Sequence, residues 1–137
     1  MSGLEGGARP RFRNIDVSQL SQYRLPAPGL VSILHRISGA MLFLLGIPFL
    51  LYLFQESLTS ELSYQNFQQI ASHWFAKLVL LGLIWSFIHH FCAGIRFLLL
   101  DVHIGVEKEQ ARAGAKIVLG ASVFLTLVAA LKLFGAF

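Results

Sequence analysis

Three strongly apolar intervals of this chain contain no Asp, Glu, Lys or Arg: Ile37 to Gln55, Leu78 to Ile95 and Ile117 to Leu131. Each is long and predominantly apolar, which is the pattern of a helix in lipid rather than of a surface helix. About 18 to 20 such residues cross a bilayer as a helix, where every backbone polar group must be satisfied within the segment. The first helix is predicted to begin near Gly29, just after Pro28. The second should extend to Leu100, and the third should continue past Lys132, whose ammonium can snorkel to the interface. The predicted fold is an all-α membrane protein with three transmembrane helices, over about 29–55, 74–100 and 115–136. A polar segment over 1–28 precedes this anchor, which covers 29–137. The length of that polar segment, and the lack of an A-x-A-like exit, argue against a signal peptide for the first span.

Composition agrees with the pattern. The chain is 55% hydrophobic and 13% charged, against about 25% charged in soluble domains. Its mean hydropathy is +0.66, and its twelve Gly suit closely packed membrane helices. The single Cys, Cys92, excludes an internal disulfide and any multi-cysteine metal site built by this chain alone. A net charge of +4 raises the question of nucleic acid, but the basic residues flank apolar spans and form no exposed stripe. No nucleic-acid role follows.

The placement of charge sets an expected orientation. Nine of the eleven Lys and Arg residues lie before or at the entry of span one, or between spans two and three. They are Arg9, Arg11, Arg13, Arg24 and Arg36, then Arg96, Lys108, Arg112 and Lys116. The positive-inside rule puts this side, and the N-terminus, in the cytoplasm and the C-terminus outside. Trp74 and Tyr52 fall where interfacial aromatics are expected.

Polar residues inside such spans carry the candidate chemistry. Ser32, His35 and Arg36 share one face at the start of span one. The bland reading is an Arg snorkelling to lipid phosphate, with Ser and His incidental. The functional readings are a hydroxyl and a cation binding quinone carbonyl oxygens, or cations holding haem propionates. In span two, Ser86, His90 and Gly94 form one stripe. His90 lies eleven residues before Asp101, roughly 16 Å deep at 1.5 Å per residue, near the middle of a ~30 Å core. An imidazole there is either a helix–helix hydrogen-bonding group or an axial ligand for haem iron. His89 points about 100° away, so both do not ligate one iron.

The order Arg9-Pro10, Tyr23 to Pro26 (YRLP), Ser32 to Gly39 (SILHRISG), His90 to Arg96 (HxxxGIR) and Asp101 resembles the cytochrome b556 subunits of succinate dehydrogenase. The resemblance covers almost the whole chain. It implies a membrane anchor that forms a heterodimeric bundle with a second small anchor subunit. Together they would hold a flavoprotein and an iron–sulfur subunit on the cytoplasmic face of a bacterial inner membrane. Carried over residue by residue, it implies His90 as the axial ligand of haem b, with the other ligand from the partner anchor. It implies Ser32 and Arg36 as ubiquinone-binding residues, and His35 and Arg36 near the haem propionates. Electrons from succinate would then reach quinone at the cytoplasmic edge of the membrane, with no dicarboxylate chemistry on this chain. Phe97 stands where some relatives carry a His, so a propionate contact from that position is absent. No role is assigned to His89. The competing readings are a fumarate reductase anchor and a haem-free three-span assembly or transport component.

Overall fold

The computed structural model describes residues 25–135. Arg9, Arg11, Arg13 and Arg24 of the N-terminal segment, the Arg9-Pro10 pair and Tyr23 lie outside the described residues, as do 136–137. Among the described residues there is no strand, and three helices are long and apolar enough to cross a membrane.

Helix α1 runs over Ala27–Leu58. It starts two residues before the predicted Gly29, with Pro26 as its N-cap and Pro28 in its first turn. Proline is tolerated there because the first amides of a helix have no intrahelical acceptor. Five residues, Leu42–Gly46, form a π turn closed by the Ile47 amide on the Leu42 carbonyl. Pro48 follows directly. A proline inside a helix lacks the amide for the carbonyl four residues back and crowds it with its ring, and the wider turn accommodates this.

Helix α2, Glu61–Ser72, was not predicted. It is polar overall and has no buried residue, but Tyr64, Phe67, Ile70 and Ala71 recur at helical spacing, an amphipathic stripe that a reading for long apolar spans passes over. Its start is nonetheless well determined. Ser60 Oγ accepts from the Ser63 amide at 3.1 Å, and Ser63 Oγ accepts from the Ser60 amide at 2.8 Å. Serine at the third position replaces the usual Glu or Gln of this reciprocal cap.

Helix α3 covers Trp74–Asp101, close to the predicted span. Its N-cap is His73, whose Nδ1 accepts from the Phe75 amide at 3.2 Å. It ends where His103 takes φ 62° and Gly105 φ 79°. The left-handed residue lets the His103 and Ile104 amides bond back to the Leu100 and Leu99 carbonyls, at 3.0 and 2.9 Å.

Helix α4 covers Lys108–Leu133 and so begins seven residues before the predicted 115. The extra residues, KEQARAG, include several good helix formers, and Glu109 pairs with Arg112 at 3.4 Å. A charge-free interval marks where a helix meets lipid, not where it begins.

Helices α1, α3 and α4 pack up-down-up. Gly39 and Gly46 of α1 face His90 and Leu83 of α3, an antiparallel register. The tightest packing lies at the α3–α4 loop end, where Val31, Ala93 and Ala115 are fully buried and Val118 nearly so. Most large apolar side chains point outward: Phe43, Ile117 and Leu98 are each about two-thirds exposed. Such a surface is incompatible with water and suited to lipid or protein partners.

Candidate functional site

The middle of the bundle brings together residues from two predicted groups. His90 of α3 projects onto α1, where its ring lies parallel to that of His35, with centroids 4.0 Å apart and an interplanar angle of 10°. His90 Nδ1 is 3.0 Å from the His35 carbonyl oxygen. A carbonyl only accepts, so Nδ1 carries the proton and Nε2 keeps its lone pair. The buried Ser38 hydroxyl donates to the same carbonyl at 2.9 Å and lies 3.3 Å from Nδ1. The ring is half-buried, and Nε2, with no hydrogen bond among the described residues, reaches the surface of the chain.

Two glycines permit this approach, and they do different things. A Cβ on Gly39 would stand 2.8 Å from His90 Cε1 and 3.2 Å from Nδ1, so any side chain there displaces the imidazole. Gly94 lies in the predicted stripe beneath His90, yet it faces His35, whose Nε2 would be 3.8 Å from an added Cβ. That is ordinary contact. The glycine that cradles His90 is therefore on the other helix, an interhelical fact that one helix's periodicity does not contain.

Ser32 and Arg36 lie on α1 next to His35, Ser32 half-buried and Arg36 exposed. Neither is hydrogen-bonded to His90 among the described residues. Phe97, the departure noted in the sequence, packs edge-on against His35 at 5.1 Å and so closes the far side of the histidine pair. Ser86, the third member of the span-two stripe, donates to the Gly82 carbonyl at 2.8 Å. Its hydroxyl is used mainly within its own helix, with Met41 Sδ of α1 at 3.5 Å as a weaker acceptor.

His89 has a site of its own. It is fully buried and stacks on Trp85 with centroids 5.4 Å apart. Its Nδ1 lies 3.2 Å from Ser122 Oγ on α4. Ser122 Oγ also lies 3.0 Å from the Leu119 carbonyl, and the Val31 backbone of α1 faces the His89 ring. His89 Nε2 is buried without a partner among the described residues. Sequence reasoning left this residue without a role because its partner, a serine 33 positions away, leaves no local signal.

Residues 13–129 match the family described as succinate dehydrogenase/fumarate reductase transmembrane subunit. The chain belongs to this family. Among its relatives, the succinate dehydrogenase cytochrome b556 subunit of Paracoccus denitrificans is 28% identical over 134 residues, covering 98% of both chains. The subunit of that name from Coxiella burnetii is 32% identical over 113 residues, 81% of this chain and 88% of the relative. That of Rickettsia felis is 28% identical over 109 residues, 80% of this chain and 84% of the relative.

Proposed function

We propose that this chain is the haem b-binding anchor subunit of a bacterial succinate:quinone oxidoreductase, lying in the inner membrane with a second anchor subunit and carrying a flavoprotein and an iron–sulfur subunit. The observation that carries this reading is the His90 ring. Imidazoles that bind metals commonly donate their second N–H to a backbone carbonyl, which fixes the tautomer and aims the free nitrogen. His90 has that arrangement, with Nδ1 on the His35 carbonyl at 3.0 Å. The space kept by Gly39 and the unpaired His90 Nε2 fit a haem, which a partner chain would help to hold. His90 Nε2 would hold the iron, and His35 and Arg36 would lie toward the propionates.

When bound, haem supplies reversible one-electron storage at the depth of His90. The remaining work belongs to this chain's own side chains. Ser32 would donate a hydrogen bond to a carbonyl oxygen of ubiquinone. Arg36, one turn further along the same face, would stabilise the negative charge that develops there on reduction, an effect strengthened by the low dielectric. The division of basic residues supports a cytoplasmic N-terminus, which puts this pair on the side of the soluble subunits and the C-terminus in the periplasm. The names of the relatives favour succinate oxidation over fumarate reduction.

The test is a reduced-minus-oxidised absorption spectrum of the purified complex, followed by steady-state assays in both directions. A b-type α-band, together with quinone reduction by succinate faster than fumarate reduction by quinol, is the expected result. Absence of the band would favour a haem-free component. A faster reverse reaction would favour a fumarate reductase anchor.

A further inference from the structure

Ser38 is fully buried on α1 and belongs to neither of the proposed ligand sets. Its hydroxyl donates to the His35 carbonyl at 2.9 Å. A helical serine that bonds a carbonyl three or four residues back is common, and such a bond usually satisfies only its own hydroxyl. Ser86 of α3, equally buried, bonds the Gly82 carbonyl at 2.8 Å in that way. Ser38 differs in what else its acceptor holds.

Three donors converge on the His35 oxygen. His35 lies inside α1, so the Gly39 amide reaches it through the helix ladder. Ser38 Oγ is the second donor, at 2.9 Å, and His90 Nδ1 the third, at 3.0 Å. A carbonyl oxygen has two lone pairs. The donors therefore share it, and each bond is weaker than it would be with one competitor fewer. Ser38 Oγ also lies 3.3 Å from Nδ1, beyond the usual range of about 2.7–3.2 Å for an N–H···O bond, so it compensates Nδ1 only slightly.

We propose that Ser38, by occupying part of the His35 carbonyl, keeps His90 a weak donor and so raises the midpoint potential of the haem that His90 would ligate. The proposal rests on the assignment of His90 Nε2 to haem iron. The second N–H of a metal-bound imidazole sets its donor strength: a better acceptor makes the ring more basic. A more basic ring favours the more positive, oxidised iron, and hydrogen bonding of this kind is one of the levers on haem potential. Ser38 touches neither iron nor quinone, so it acts through His90 as a positioning residue. Its full burial places the competition in a low local dielectric, where each hydrogen bond is electrostatically stronger than in water.

Optical redox titration of the haem in the assembled complex tests this. Ser38→Ala frees the carbonyl for His90 and should lower the midpoint potential. The oxidised-to-reduced ratio at a fixed ambient potential should rise about fivefold, the worth of one ordinary hydrogen bond, or about 40 mV at about 59 mV per tenfold for one electron. Ser38→Cys, whose thiol is a weaker donor, should shift the potential the same way by less, and it decides the matter if Ser38→Ala loses its haem. Ser86→Ala removes an equally buried hydroxyl that does not share the His35 carbonyl, and it should leave the potential in place. A potential unmoved or raised by the Ser38 variants, or moved equally by Ser86→Ala, would overturn the proposal and leave the haem assignment standing. Absence of haem from the wild-type complex would overturn both.

Discussion

His89 and His90 are neighbours in the chain and about 100° apart on α3, and the two sides of the helix treat them differently. Each ring sets its Nδ1 against an oxygen on an adjacent helix, the Ser122 hydroxyl for His89 and the His35 carbonyl for His90. Each keeps a bare Nε2. The His89 nitrogen is sealed among three helices, whereas the His90 nitrogen reaches the surface of the chain beside Gly39. Two neighbouring imidazoles are thus distinguished by access. The α4 side of α3 fastens the bundle, and the α1 side presents a donor to something outside it.

If that division holds, the largest effects of substitution on turnover belong to the α1 side. Arg36→Leu and Ser32→Ala should reduce succinate-dependent quinone reduction while leaving succinate oxidation by a soluble artificial acceptor unchanged. Loss of one hydrogen bond to a developing charge costs about 1.5–3 kcal/mol, or about ten- to hundredfold in rate. Arg36→Leu should be the worse, and Arg36→Lys a partial rescue, since an ammonium lacks the planar fork. A parallel fall in both assays would mean that Arg36 holds the complex together instead.

The glycines sharpen the same comparison. Gly39→Ala drives a methyl to 2.8 Å from His90 Cε1, so it should shift the haem absorption band or lower haem content several-fold. Gly94→Ala, with 3.8 Å to spare at His35, should leave the spectrum unchanged. Haem content per complex measures both, and equal effects would show that His90 has room to move.

The smallest effect is expected on the α4 side. His89→Leu removes one interhelical hydrogen bond, worth about 0.6 kcal/mol on average in membranes, and with it a buried polar atom that has no partner. Thermal unfolding of the complex should move by a few degrees at most, with haem content retained. A loss of haem would place His89 in the site.

The spans were legible in the sequence because lipid tolerates no charge, and His90 because an imidazole at that depth needs a reason. Helix ends were less so. The start of α4 at Lys108 is written in helix propensity rather than in hydrophobicity, and α2 depends on a cap in which Ser63 stands in for an acid. The cradle at Gly39 and the Ser122 partner of His89 are contacts between helices. They arise only when α1 and α4 take their register against α3.

The central claim is that His90, and not its neighbour, faces a haem. The most direct measurement is the reduced α-band of the purified complex carrying His90→Leu, His89→Leu or His73→Leu in turn. His73 caps α3 at its far end through the Phe75 amide and serves as the control. Loss of the band with His90→Leu alone is the predicted result. An intact band with His90→Leu, or equal loss with His89→Leu, would contradict the assignment.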